Sequence, residues 1–141
     1  MSNDEKSRAC HIYFQTRQDP ASGFEGLREE SALEYDGLIY ETDSGYFIRY
    51  DDSGGKASIR IRNDIITVTN AGNSGNRLVF DQSHDFEQNY AVGQRVMNMR
   101  IITESTHTER FGNRLIIDIN YRILVNEEPL SSYSPRIEIT F

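Results

Sequence analysis

The sequence predicts an all-β protein, folded as a single antiparallel up-and-down barrel of about eight to ten strands with little or no helix. Three observations indicate this fold. Apolar and polar residues alternate with a period of two along most of the chain. The connections are short, which favours antiparallel pairing. The two longest extended segments, residues 94–106 and 114–125, exceed the usual strand length of five or six residues and suit a closed meander.

The chain of 141 residues has the length of one domain. Residues 1–7 are polar and are predicted to be a disordered tail. The β-barrel domain is predicted over residues 8–141, and no internal repeat divides it.

The first elements follow directly after this tail. Residues 10–17, "CHIYFQTR", alternate as a strand does, and "DPASG" at 19–23 predicts a turn. Residues 24–35 are ambiguous: they could form a short amphipathic helix, but Leu27 and Leu33 are too sparse for a wide apolar stripe. We predict a strand there, since the flanking segments are β.

The middle of the chain predicts a series of hairpins. Residues 38–52 form two strands joined at "TDSG", and "DDSGG" predicts the next turn. The strand "KASIRIR", residues 56–62, is separated by Asn63 and Asp64 from "IITVTN", residues 65–70. This spacing predicts a two-residue hairpin.

The following residues mix firm strands with polar connections. Residues 70–76, "NAGNSGN", form a loop by composition, and 77–81 form a short strand. Residues 82–93 are predicted to be irregular. A long strand then covers 94–106, and "HTERFGN" at 107–113 is predicted to turn the chain.

The most regular alternation lies near the end of the chain. Residues 114–125 read "RLIIDINYRILV", with apolar residues at every second position and Asp118, Asn120 and Arg122 between them. This pattern predicts a strand with one buried and one solvated face. "NEEP" ends the strand, and "PRIEITF" at 135–141 predicts the final one.

Composition limits the classes of partner. The formal net charge is −7, which disfavours nonspecific binding to nucleic acid or to an anionic membrane. The first residues contain no apolar signal region, and no apolar run approaches the roughly 18 residues of a membrane-spanning helix. We therefore expect a cytoplasmic protein with no nucleic-acid and no membrane partner.

The basic residues are almost all arginine: the chain has 13 Arg and only two Lys. Five of the arginines occupy alternating strand positions, namely Arg49, Arg60, Arg62, Arg100 and Arg122. One interpretation is a lining that binds carboxylate or phosphate groups, because a guanidinium makes bidentate contacts with both. The other is a set of ordinary cross-strand ion pairs, which we favour.

An apolar ligand inside the barrel would need an adaptable lining. Met97 and Met99 share one face of a predicted strand, and flexible thioethers suit such a role. Ile117, Ile119 and Tyr121 belong to the inward face of the next strand, and they complete the candidate lining. The alternative is that these residues are ordinary core, which is the interpretation that we favour for Met97 and Met99.

Residues with reactive side chains show no recognisable arrangement. His11, His84 and His107 are far apart in sequence and lack metal-ligand spacing, so we predict no metal and no cofactor. Residues 83–85 read "SHD", but neighbours on an extended chain point in opposite directions and predict a turn rather than a catalytic relay. Cys10 is the only cysteine and has no nearby acid–base partner.

A family resemblance covers residues 35–141. Besides the "GYFIRYDD" hairpin, the resembling segments are "ASIRIRNDIITVTNAG", "NRLVFDQ", "RVMNMRIIT" after Tyr90 and Gly93, and "LIIDINYRILVNEEPLSSYSPRIEITF". They resemble the YwiB-like family, small bacterial proteins of unknown function. The resemblance implies a calycin-like (lipocalin-like) β-barrel, and it brings no catalytic residue with it.

Three classes of function are compatible with this sequence. We favour a barrel that binds one small apolar or amphipathic ligand in its interior. The alternative is a non-enzymatic interaction or assembly module with a solid core, which leaves a homodimer open. An enzyme ranks last, because no acid–base, nucleophile or metal constellation can be assembled from the sequence.

Overall fold

The structure, a computed structural model, describes residues 7–20, 29–52, 55–70 and 77–141. The described residues form eleven β-strands and no helix. The strands are β1 (Ser7–Pro20), β2 (Glu29–Thr42), β3 (Gly45–Asp52), β4 (Gly55–Arg62), β5 (Ile65–Asn70), β6 (Arg77–Phe80), β7 (Phe86–Val92), β8 (Arg95–Phe111), β9 (Arg114–Val125), β10 (Glu128–Tyr133) and β11 (Arg136–Thr140). The predicted all-β class is confirmed.

Several predictions fall on the remaining residues. Ser7 begins β1, and residues 1–6 of the predicted tail lie outside the described residues. The same holds for 21–28, which include part of the ambiguous segment, and for 71–76 of the predicted glycine-rich loop. Residues 29–35 of the ambiguous segment belong to β2, as predicted.

The strands form one antiparallel sheet in the order β6-β5-β4-β3-β2-β1-β10-β9-β8-β7. β11 pairs with β1 and β9, so it shares with β10 the place between those two strands. The end strands, β6 and β7, follow one another in the chain and contact each other. A bridge between Asp81 and His84 lies in their connection. Antiparallel pairing is confirmed, while closure of a complete barrel stays a prediction.

One face of the sheet, which we call the inner face, carries a single apolar core. Its buried apolar side chains include Ile12, Ile39, Ile48, Ile59, Ile61, Ile66, Phe80, Ile101, Leu115, Ile117, Ile119, Ile137 and Ile139. The rings of Phe80 on β6 and Tyr121 on β9 are 4.7 Å apart between centroids, although these strands are distant in the sheet order. The sheet therefore curls until its inner face packs against itself.

Strand β9 shows why the alternation predicts this packing. Leu115 and Ile117 are 0% exposed and Ile119 is 2% exposed, whereas Asn120 and Arg122 between the apolar positions are exposed. Burial of each isoleucine or leucine contributes about 1.5–3 kcal/mol. This burial fixes which face of β9 points toward the core.

The predicted two-residue hairpin between β4 and β5 is confirmed. Asn63 and Asp64 have φ values of 51° and 66°. Positive φ at both central residues is the type I′ geometry, whose twist matches that of the flanking strands. Asn126 and Glu127 repeat the same angles between β9 and β10.

The alternation of inward-facing and outward-facing residues in β8 shifts by one residue in the middle of the strand. A bulge at Glu104 interrupts its pairing with β9 between Thr103 and Ser105. Ile101 and Thr103 face inward before the bulge, and Thr106 and Arg110 lie opposite inward-facing residues of β9 after it. The extra residue thus brings polar side chains of β8 to the inner side at one end of the sheet.

Three parts of the predicted secondary structure were wrong. Residues 82–93 were predicted to be irregular, but Phe86–Val92 form β7. Residues 107–113 were predicted to turn, but β8 continues to Phe111. β10 was also not predicted. The described residues therefore contain eleven strands, against the eight to ten that the sequence predicted. β7 ends the sheet and pairs only with β8, so it tolerates polar residues that mask the alternation.

Membrane-spanning helices are absent from the strand-rich part of the chain that the structure describes. No helix there has the length and the apolar character that a bilayer crossing requires.

Candidate anion-binding site

The predicted lining of an interior cavity lies in or beside the core. Ile117 and Ile119 are buried members of the core cluster. Met99 and Tyr121 are half-buried and pack against it, and Met97 is half-buried near the start of β8. All five residues therefore occupy inward-facing strand positions. Such positions are compatible both with ordinary core residues and with residues that line a cavity.

Tyr121 is the polar member of this group. Its ring stacks on Tyr133 with centroids 5.1 Å apart and also contacts the ring of Phe80. Burial raises the pKa of the Tyr121 hydroxyl well above its ordinary range. Opposite Tyr121 on β8 lies Thr103, whose buried hydroxyl makes no hydrogen bond within the described part of the chain.

The reactive residues singled out from the sequence do not converge. His11, His84 and His107 lie on separate elements with separate carboxylate partners. Among the described residues, no group of three or more His, Cys, Asp and Glu could hold a metal ion. Residues 81–84 form a turn, as the "SHD" sequence predicted. Cys10 is 6% exposed, and burial raises the pKa of its thiol to about 11.

His11 is expected to titrate above the ordinary histidine range. Its Nδ1 lies 3.0 Å from Asp36 Oδ1 and its Nε2 lies 2.9 Å from Glu34 Oε1, and these hydrogen bonds raise its pKa. The folded-state pKa therefore exceeds the unfolded value of about 6.5. The resulting stabilisation is complete below that pH and is lost as the pH rises through the folded-state pKa.

An NMR titration of the His11 ring checks this expectation. Asp36→Asn should lower the pKa of His11 toward the ordinary value, because Asp36 contributes most to the shift. Asp51→Asn on β3 is the control, since both carboxylates that hydrogen-bond His11 belong to β2. An unchanged His11 pKa in the Asp36 variant would contradict the prediction.

Two of the five strand arginines form the cross-strand ion pairs that we favoured. Arg100 on β8 lies 2.9 Å from Glu87 and 3.2 Å from Glu127. Arg122 on β9 lies 3.4 Å from Glu104. For these two residues the charge pattern reflects sheet stabilisation rather than a binding site.

The other three arginines are different. Within the described ranges, no carboxylate oxygen lies within 4.0 Å of the guanidinium nitrogens of Arg49, Arg60 or Arg62. All three are exposed. They lie together on β3 and β4, where the alternating Ile48, Ile59 and Ile61 point inward and the arginines consequently point outward. We call Arg49, Arg60 and Arg62 the arginine cluster.

The backbone register fixes the spacing of this cluster. Arg60 and Arg62 are two residues apart on β4, which corresponds to about 6.6 Å along a strand. Arg49 pairs with Ser58, so it lies diagonally across from Arg60, about 7–8 Å away between Cα atoms. The three guanidinium groups can therefore reach one small ligand from two strands.

Two aromatic side chains adjoin the arginine cluster. Tyr40 on β2 pairs with Phe47 on β3, and Phe47 pairs with Arg60 on β4, so the three side chains form one row across the outer face. The ring centroids of Tyr40 and Phe47 are 6.1 Å apart. The Arg60 guanidinium carbon lies 5.0 Å from the centroid of Phe47, in a cation–π contact.

The cluster and the aromatic row share a half-open depression of about 400 Å³. Its lining residues are Tyr40, Glu41, Thr42, Ser44, Tyr46, Phe47, Arg49, Arg60, Ile61 and Arg62. Glu41 is the acidic member of this lining. Its neighbour Tyr40 faces outward, so the alternation turns Glu41 toward the inner side, where its carboxylate pairs with Arg110 of β8. The outward-facing lining is consequently positive.

Sequence reasoning found part of this site and missed the rest. The alternating arginines stand out in the sequence, but the sequence does not tell which of them have a carboxylate partner. Tyr40 and Phe47 were not predicted as site residues. Their signal was present in the hairpin at residues 38–52, since a turn at "TDSG" places Tyr40 opposite Phe47.

Comparison with known proteins places the chain in a family. A family profile described as "Domain of unknown function (DUF1934)" matches residues 12–137, which is most of the chain. The chain belongs to this family. The DUF1934 match leaves the function open, and no functionally curated protein matches the sequence.

A solved structure shows a similar fold. "Crystal structure of ywiB protein from Bacillus subtilis" aligns with a TM-score of 0.76 and 13% sequence identity, over 95% of this chain and 92% of that one. At such identity the likeness concerns the fold alone. Together with the DUF1934 match, it confirms the predicted relation to YwiB-like proteins.

Proposed function

We propose that this DUF1934 protein binds a small anionic molecule on its outer face, at the arginine cluster. The observation that carries the proposal is a set of three neighbouring arginines without carboxylate partners in the described chain. They line one depression in a protein whose net charge is −7. Acidic residues are abundant elsewhere in the chain, yet within the described ranges the outward side of this site has none within ion-pair distance.

Electrostatics support an anionic occupant. Between Cα atoms, Arg60 lies about 6.6 Å from Arg62 and about 7–8 Å from Arg49. The positive charges on either side of Arg60 repel its own charge, and an anion bound beside Arg60 would offset that repulsion. Each guanidinium presents parallel N–H donors that match two oxygens of a phosphate or carboxylate. Hydrogen bonds to charged groups contribute about 1.5–3 kcal/mol each.

An interior apolar or amphipathic ligand is the second candidate. The buried Thr103 hydroxyl, which makes no hydrogen bond within the described chain, favours a polar atom beside Tyr121. We rank this candidate second because Ile117 and Ile119 of the predicted lining are packed in the core cluster. Native mass spectrometry of the purified protein tests it, since an interior ligand would remain bound and add to the mass.

Arg60→Gln is expected to weaken anion binding at least tenfold. Arg60 is the central member of the cluster, and its loss removes one charged hydrogen-bonding group, about 1.5–3 kcal/mol. Isothermal titration calorimetry with inorganic pyrophosphate at low salt measures the change. Binding by the unmodified protein should also weaken as the salt concentration rises.

Arg122→Gln is the matched control, because Arg122 is an exposed strand arginine with a carboxylate partner. It should bind pyrophosphate as the unmodified protein does. Equal affinity of the Arg60 variant and this control would overturn the site. So would pyrophosphate failing to bind the unmodified protein.

A further inference from the structure

The depression combines positive charge with two aromatic side chains in its lining. Phe47 and Tyr40 are half-buried on the outward side of the sheet, in a row that ends at Arg60. Phe47 already holds the planar guanidinium of Arg60 against its ring. An aromatic side chain placed in this way can stack on the flat face of a ligand ring as well.

The arginines lie on both sides of this aromatic row. Arg60 belongs to the row. Arg62 lies two residues beyond it on β4, toward the β2–β3 turn, and Arg49 lies two residues from Phe47 on β3 in the other direction. A ligand ring on the row therefore has guanidinium groups within reach at either end. This arrangement fits a molecule that combines a planar ring with an anionic group.

We propose that the ligand is a nucleoside phosphate, an inference that rests on the function proposed above. The base packs on Phe47 and Tyr40, and the phosphate oxygens accept hydrogen bonds from the arginine cluster. Because every base has a flat face, stacking alone selects for a ring and does not choose among bases.

The size and charge of the site support a free nucleotide. A depression of about 400 Å³ falls in the range of small-molecule sites and is far larger than an isolated phosphate needs. A nucleic-acid polymer is disfavoured, because the net charge of −7 repels phosphates that extend beyond the cluster. A single nucleotide keeps its charge inside the positive area.

Isothermal titration calorimetry on the unmodified protein measures how much the base and the phosphate each contribute to the affinity. AMP, ribose 5-phosphate and adenosine are titrated at the same ionic strength. AMP should bind at least tenfold more tightly than ribose 5-phosphate, because only AMP can stack on the aromatic row. It should also bind at least tenfold more tightly than adenosine, which lacks the phosphate.

Phe47→Leu tests the aromatic row directly. In this variant the affinity for AMP should fall to within threefold of the affinity for ribose 5-phosphate. The affinity for ribose 5-phosphate should not change. Phe111→Leu is the matched control, since Phe111 is an exposed phenylalanine outside the site, and it should keep the tenfold preference. Tyr40→Leu provides the same test if a thermal melt shows that the Phe47 variant is less stable.

The outcomes distinguish this inference from the broader proposal. Equal binding of AMP and ribose 5-phosphate by the unmodified protein would overturn the nucleoside and keep the anion site. Failure of both AMP and pyrophosphate to bind would overturn both. A single-stranded RNA decamer that binds tenfold more tightly than AMP would replace the free nucleotide as the occupant and overturn the inference.

Discussion

Ile119→Asp is expected to abolish folding or to lower the free energy of unfolding by about 4–5 kcal/mol. Ile119 is 2% exposed and packs in the core on β9. An aspartate at this position either buries a charge without a partner or forces the strand away from the core. Because a domain of this size is stable by only about 5–15 kcal/mol, the loss would be close to complete.

Asn120→Asp provides the matched control on the same strand. Asn120 is exposed and contacts Ser105 and Ser134 at 2.8 Å. Aspartate can accept hydrogen bonds from both hydroxyl groups, so we expect a change below about 1 kcal/mol. Urea unfolding of the two variants measures the difference. Similar destabilisation by both would mean that the inner and outer faces of β9 are wrongly assigned.

Gly37→Ala is expected to lower the free energy of unfolding by about 3 kcal/mol, through close contact between strands. A Cβ atom at Gly37 would lie 2.3 Å from the carbonyl oxygen of Arg49 and 3.1 Å from Tyr50 Cβ. The carbonyl belongs to the backbone of the neighbouring strand β3, so it cannot move without disturbing the pairing of β2 with β3.

The control for this substitution is Gly112→Ala in the turn between β8 and β9. Gly112 has a φ of 59°, and a Cβ atom added to it would meet no neighbouring atom within 4 Å. Alanine there meets no neighbour but has to adopt a left-handed backbone conformation, which costs about 1–2 kcal/mol. Thermal unfolding followed by circular dichroism compares the variants. If the Gly37 variant had the same melting temperature as the Gly112 variant, the close approach of β2 and β3 at Gly37 would be contradicted.

The fold was predictable where a residue's environment depends on its own strand. The alternation of β9 identified Leu115, Ile117 and Ile119 as buried, and the Asn63–Asp64 pair identified a hairpin. Both signals are local, because side-chain direction and turn geometry are set by neighbouring residues. Such features can be predicted without knowledge of the partner strands.

The features that were missed depend on the partner strand. β7 is recognisable only through its pairing with β8, and the bulge at Glu104 only through the register between β8 and β9. The same holds for the candidate site. Arg122 and Arg60 look alike in the sequence, and what separates them within the described chain is the carboxylate that a neighbouring strand offers to one and not to the other.

The position of β11 has a consequence for the kinetics of folding. This strand pairs with β1 through Ile12 and Ile139, which are far apart in sequence and both 0% exposed. Bringing such distant segments together carries a large loop-closure entropy before any contact is gained. Refolding should therefore fall in the slow, millisecond-to-second regime of proteins with high contact order.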